Sequence, residues 1–146
     1  MPETATGTTT APAPDPWAYS LYIPNDPRAV PLSRRTLRLI LTLHGLAHLT
    51  DTAELIASEL LANAVQHTSG PAALRVSYAD GVLRVGAWDA DPEPPDPPAR
   101  LDDLTGDAED GGGLALVRAC ADVWGWQPLS RLRQRGKYVW GDLAVA

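Results

Sequence analysis

The stretch ELLANAVQHT, residues 59–68, decides how the rest of the chain is read. Its leucines, alanines and valine follow helical spacing, yet Glu59 and Asn63 stand one turn apart among them. Asparagine is a mediocre helix former, and its amide needs hydrogen bonds wherever it is buried. Extended back to TDTAEL, the pattern predicts a helix from about Thr50 to His67, closed by TSGP, with Asp51 and Glu54 spaced as a capping box. On a wheel of about 100° per residue, Ala53, Ala57, Leu60, Leu61, Ala64 and Val65 fill one arc, the face to be buried. Glu59, Asn63 and His67 make a second stripe, with Ile56 inside it and Leu55 and Ala62 beside it. Such a stripe is either an ordinary half-exposed face or one wall of a cleft.

If it is a cleft wall, the residue types suit a magnesium-nucleotide site. Mg²⁺ takes oxygen ligands and keeps waters and substrate phosphates as most of its shell. The Asn63 side-chain oxygen supplies one ligand without adding charge. A glutamate one turn away can accept a proton from an attacking hydroxyl or water.

The flanking segments supply further pieces. WAYSLYI (17–23) alternates as a strand. PNDPRAVP places a helix start at Asp26–Pro27 or at Pro31, and Leu37, Ile40, Leu41 and His44 then share a side up to Gly45, a helix stop. Downstream, ALRVSY (73–78) and VLRVGAWD (82–89) are two strands joined by the hairpin turn ADG. Leu83, Val85 and Ala87 share one face of the second strand, and Asp89 has the same parity. A carboxylate ending a core-facing row either caps the first turn of the following loop or receives a donor such as an amine. GGGLALVRACADV (111–123) reads as a glycine-rich entry to a helix, with Leu114, Val117, Ala121 and Trp124 at helical spacing. Free N–H groups at such an entry bind phosphate, although a glycine run is equally a hinge. The close, GKYVWGDLAV (136–145), is a strand, with another expected around WGWQPL. Trp124, Trp126 and Trp140 are expected to pack the sheet, and His44 and His48 to be packing or surface residues. Strands and helices are segregated, so the expected class is α+β: a two-layer sandwich with a mostly antiparallel sheet.

Composition narrows the function. The chain has 146 residues and a net charge of −6, against a nucleic-acid binder, which needs a basic face. Nine acids and one base between Asp89 and Asp110 give that segment −8 and leave +2 elsewhere. The segment from about 90 to 110, with five prolines, reads as a long lid loop. Its acids are either solvated or dock a basic partner. Residues 1–15, rich in Thr, Ala and Pro, read as a disordered tail, leaving one domain over 16–146. No apolar run reaches the roughly 18 residues of a membrane span, no secretory signal opens the chain, and Cys120 is the lone cysteine, so a cytoplasmic protein is expected.

In order, the pieces are Glu-x-x-x-Asn on a helix, a hairpin, a strand-terminal Asp, a lid, Gly-x-Gly-Leu and a closing Gly-Lys-x-Val-Trp. ELIASELLANAVQHT (54–68), VLRVGAWDADPEPPDP (82–97), EDGGGLALVRACADVWG (109–125) and GKYVWGDL (136–143) carry a resemblance to the GHKL ATPase family, which includes gyrase-type ATPases, histidine kinases and mismatch-repair MutL. Within it, the chain is similar to stand-alone anti-sigma-factor serine kinases and their actinobacterial relatives. The resemblance covers roughly residues 17 to 143.

It implies a Bergerat-type ATP-binding sandwich, with ATP held between the helical layer and the lid. Asn63 would coordinate Mg²⁺, Glu59 would be the catalytic base, and Asp89 would receive the adenine amine. Gly111 and Gly113, with the N–H groups near Leu114, would cradle the phosphates. The implied function is an anti-sigma factor and protein serine/threonine kinase in a partner-switching system. Its partners would be a sigma factor, a STAS-type anti-anti-sigma protein or both, with a homodimer as the working form. The alternative is a non-catalytic docking module of the same fold. Three features depart from the family pattern. Asp91 in DAD stands where a glycine is common, Tyr138 is expected at the adenine edge in place of threonine, and the lid is acidic. Two unit charges about 4 Å apart near a protein surface interact by about 4 kcal/mol, so acids turned towards a triphosphate would weaken its binding.

Overall fold

A computed structural model describes residues 14–95 and 109–145. The tail expected over 1–15 lies almost wholly outside these residues, as does the lid from 96 to 108. Strand β1 (Trp17–Ile23) leads into helix α1 (Ala29–Leu43). Asp26 Oδ1 accepts the Arg28 N–H at 2.9 Å, so the chain turns into the helix at the first of the two expected starts. Pro31 then falls in the first turn, where a missing N–H breaks no helical bond. Leu37 and Leu41 are fully buried, and His44 stacks on Trp17 with ring centroids 4.0 Å apart. Gly45 stops α1 as its sequence position implies. At φ +73° its N–H reaches the Thr42 carbonyl at 3.2 Å, and Leu46 N–H reaches the Leu41 carbonyl at 2.8 Å. That pair of bonds is a Schellman motif, and only glycine adopts its left-handed residue without cost.

Helix α2 (Thr50–His67) has the length expected of it, but not the capping box. A 3-10 turn, Ala47–Leu49, feeds the helix, and Leu49 at the N-cap makes no side-chain bond. Asp51 therefore lies inside the first turn, and Glu54 is drawn sideways to α1, accepting two bonds from Arg38 at 2.9 and 3.0 Å. Of the predicted arc, Ala53, Ala57, Leu60, Leu61 and Ala64 are buried and Val65 is half-buried; Ile56 joins them at 0% exposure.

Strands β2 (Ala72–Ala79) and β3 (Val82–Asp89) form the hairpin. Asp80 and Gly81 have φ of 52° and 78°, the pair of positive angles that matches a two-residue turn to the twist of the strands. Helix α3 (Glu109–Cys120) begins two residues before the glycines and ends earlier than helical spacing suggested. Asp122 ends it: its N–H bonds to the Asp142 carbonyl at 2.8 Å and its carboxylate accepts the Ala144 N–H at 2.7 Å. These bonds pull the chain onto the sheet, so Trp124 belongs to strand β4 (Val123–Pro128) and not to a helix. Strand β5 (Lys137–Ala144) closes the domain.

The sheet order is β1-β2-β3-β5-β4, with every neighbouring pair antiparallel. The helices bury their apolar faces on one side of it. Leu37, Leu41, Ile56 and Leu61 meet Leu74, Val76, Leu83 and Val85 in one core. Each such side chain contributes about 1.5–3 kcal/mol relative to exposure. Ala73, Trp88 and Tyr138 form a second, smaller cluster, joined by Leu129 and Trp140. The α+β two-layer sandwich expected from segregated strands and helices is the architecture found. No helix among the described residues is long and apolar enough to cross a membrane.

Candidate functional site

Three elements converge on a cavity of about 390 Å³ between α2 and the sheet. From α2 come Leu60, Asn63 and His67, from β3 Ala87 and Asp89, and from β5 Lys137 and Val139. Asp91, Pro94 and Pro95 of the loop after β3 complete the described wall. The volume suits a small organic ligand, and the mixture of apolar surface with a few polar groups is that of a binding pocket.

The helix places its residues by periodicity. Leu60, Asn63 and His67 are spaced three and four apart, so they stack along one side of the last two turns of α2. Asn63 is half-buried, and its amide has no hydrogen-bond partner among the described residues. The stripe proposed from sequence is thus split. Asn63 and His67 face the cavity, whereas Glu59, half-buried one turn earlier, is not among the lining residues.

The strand places Asp89 by parity. Leu83, Val85 and Ala87 are exposed by 3% or less, and Asp89 ends the same row at 7%. The capping reading holds: Asp89 Oδ1 accepts the Asp91 N–H at 2.9 Å, which caps the loop's first turn, and the side chain also lines the cavity.

A lysine at the start of a strand is usually solvated, but Lys137 is 8% exposed and donates to Asp89 Oδ1 at 3.0 Å. The two residues are direct cross-strand partners in the β3–β5 ladder. Lys137 also donates to the Asp91 carbonyl at 3.2 Å and lies 3.7 Å from Asp91 Oδ2. Tyr138, expected at the ligand's edge, has the opposite parity. Its ring packs with Ala73 and Trp88 and stacks on Trp140, away from the cavity. The alternation of Lys137 and Val139 against Tyr138 and Trp140 was the signal that would have separated them.

Burial pushes the Asp89 carboxyl above its ordinary range, opposed by the Asp91 amide and by Lys137. Both hydrogen bonds fall on Oδ1; among the described residues none reaches Oδ2. An acceptor oxygen of a cavity-lining residue is therefore left without a donor among the described residues.

Gly111, Gly112 and Gly113 lie in the opening turns of α3. Gly111 falls in the first turn, where N–H groups have no helical acceptor; Gly113 and Leu114 come after it. Among the described residues no group of three His, Cys, Asp or Glu is placed to hold a metal. A cation at Asn63 would take the rest of its shell from water and ligand oxygens.

An antiparallel sheet carrying helices on one side, with a polar-edged cavity at the end of a core helix, defines a two-layer α+β sandwich with a ligand-sized cleft. A family model, the histidine kinase-like ATPase domain, matches residues 23–139, and the chain belongs to that family. No curated protein matches the chain.

Proposed function

We propose that this domain is a Mg-ATP-binding regulator that acts as an anti-sigma factor and protein serine/threonine kinase in a partner-switching system. One observation carries the nucleotide part: Asn63 of the helical layer and Asp89 of the sheet, two unrelated positions 26 residues apart in sequence, line the same cavity, each with a polar group that has no donor or acceptor among the described residues.

The residues present fit such a ligand. Asp89 Oδ2 would accept an amine hydrogen of adenine, and Leu60, Ala87 and Val139 would pack on the base. Asn63 would give Mg²⁺ its one protein oxygen. Free N–H groups in the first turn of α3, around Gly111, would meet the phosphates, with Gly113 and Leu114 in the turn behind. The bound nucleotide would supply the phosphoryl group. Glu59 would accept the proton of a serine hydroxyl presented by an anti-anti-sigma partner, and nucleotide state would choose between that partner and a sigma factor.

A second reading is favoured by the position of Glu59. A base has to come within hydrogen-bond reach of the attacking hydroxyl, and Glu59 stands outside the described cavity wall. In this reading the domain binds nucleotide to set its partner-docking shape and transfers nothing. Incubation with γ-labelled ATP and a STAS-type partner separates the two. Label on the partner's serine, reduced at least about tenfold by Glu59→Ala, supports the kinase. Complex formation that responds to nucleotide without labelling supports the docking module.

A further inference from the structure

We propose that Lys137 is a positioning residue that sets the base specificity of this cavity: by holding Oδ1 of Asp89 it leaves Oδ2 as a lone, obligate acceptor, which selects a 6-aminopurine over a 6-oxopurine. The inference rests on the nucleotide reading above and adds a determinant to it.

The argument begins with the ammonium's own hydrogens. It has three, and no acceptor capacity. Two are donated, to Asp89 Oδ1 at 3.0 Å and to the Asp91 carbonyl at 3.2 Å, and Asp91 Oδ2 lies 3.7 Å from the nitrogen. Lys137 lines the cavity, yet two of its hydrogens are bonded within the protein, and Asp91 Oδ2 stands at ion-pair distance from the nitrogen. The aspartates in turn are fixed by it. Oδ1 of Asp89 holds two donors, Lys137 and the Asp91 N–H, which anchors the carboxylate and the turn after it.

An ionised carboxylate accepts hydrogen bonds and cannot give one. A 6-amino group brings Oδ2 the hydrogen it lacks. A 6-oxo group brings a second acceptor, against an ammonium already held by Asp89 Oδ1 and the two Asp91 oxygens. Were Lys137 free, it would serve the 6-oxo group and the preference would reverse.

Without Lys137, the buried Asp89 would face Asp91 with no cation between them. Burial already pushes its carboxyl up, and a neighbouring like charge pushes in the same direction. The carboxyl is then pushed further towards its protonated form. A protonated carboxyl both donates and accepts, so it serves either base and the preference is lost.

The test is the dissociation constant of the Mg complexes of ATP and inosine triphosphate, which differ at the 6-position and the adjacent ring nitrogen. Calorimetry at pH 7 and fixed salt would compare the full chain, Lys137→Met and Lys137→Arg. For the unaltered chain the expected result is ATP bound at least about tenfold more tightly, because two facing acceptors lose a hydrogen bond and leave both oxygens unpaired. In Lys137→Met the ratio should fall below about threefold, and Lys137→Arg, which keeps the charge, should restore most of it. A merely structural lysine would weaken both nucleotides alike and leave the ratio unchanged, which would overturn the proposal. Equal affinities in the unaltered chain would overturn it too, while leaving the nucleotide reading intact. No binding of either nucleotide would remove that reading and this inference together. Should Lys137→Met fail to fold by circular dichroism, Lys137→Gln, which keeps a donor without the charge, takes its place with the same expected loss of ratio.

Discussion

Tyr138→Phe should stabilise the domain, and by more as the pH rises. The phenol is 6% exposed, and its hydroxyl has no hydrogen-bond partner among the described residues. A buried hydroxyl left unpaired costs about 1–3 kcal/mol of desolvation, whereas the ring's packing on Trp88 and Trp140 survives in phenylalanine. The expected gain at pH 7 is about 1 kcal/mol. Burial also pushes the phenol from 10.0 up to about 12. The folded state therefore holds this proton more tightly than the unfolded chain, which loses it first. Stability from this group is complete below pH 10 and is lost as the pH rises through 12. By linkage the loss at pH 11 is on the order of 1 kcal/mol. Phenylalanine has no proton to lose, so the advantage of the variant should roughly double between pH 7 and pH 11, from about 1 to about 2 kcal/mol. Urea unfolding followed by tryptophan fluorescence at pH 7, 9, 10 and 11 measures both. A variant less stable by about 1 kcal/mol at pH 7 would show that the hydroxyl is satisfied; a gap independent of pH would show that the phenol ionises in the fold as freely as in water.

Two backbone predictions concern the approach to β5. Gly136→Ala should cost at least about 2 kcal/mol in urea unfolding, because its Cβ would drive into the Asp89 carbonyl oxygen and onto the Trp88 indole, whose Nε1 it meets at 2.7 Å; a cost within 0.5 kcal/mol, the usual range for surface changes, would show that the strand ends move apart freely. Leu132 and Arg133 occupy the left-handed region at φ 53° and 62°, both exposed, between Arg131 and Gln134 whose backbones bond each other at 3.0 and 2.8 Å. Replacing them with Asn-Gly, the residues such a turn prefers, should raise stability by about 1–2 kcal/mol in the same assay; an unchanged midpoint would refute the strain.

Local chemistry made much of the fold legible. Gly45, the Asp80–Gly81 turn, the apolar arc of α2 and the Leu83-to-Asp89 row depend on residues within a turn or a strand of one another, and each formed as its neighbours dictate. What escaped was decided across elements. Glu54 is spaced as a capping partner, but Arg38 of another helix captures it. Trp124 fits a helical repeat, but Asp122 has already bonded to β5. The site divides in the same way. Asn63 and Asp89 could be placed by helical period and strand parity. The bond from Lys137 to Asp89 spans 48 residues and exists because the β3–β5 register sets those two positions opposite each other. The register also sends Tyr138 to the far face, so the residue that alters the cavity is the lysine before it. Residues 96–108, on which the lid expectation rests, lie outside the described structure.

The central claim is that the cavity between α2 and the sheet holds a Mg-nucleotide through Asn63. Thermal unfolding with ATP, with and without Mg²⁺, for the unaltered chain and for Asn63→Ala, tests it most directly. A ligand at one hundred times its dissociation constant, binding the folded state alone, adds about 2.7 kcal/mol, a rise of several degrees in Tm for a domain of this size. The account predicts that rise with ATP and Mg²⁺ together, and its near disappearance without Mg²⁺ or in Asn63→Ala. No rise in the unaltered chain, or an equal rise in Asn63→Ala, would contradict it.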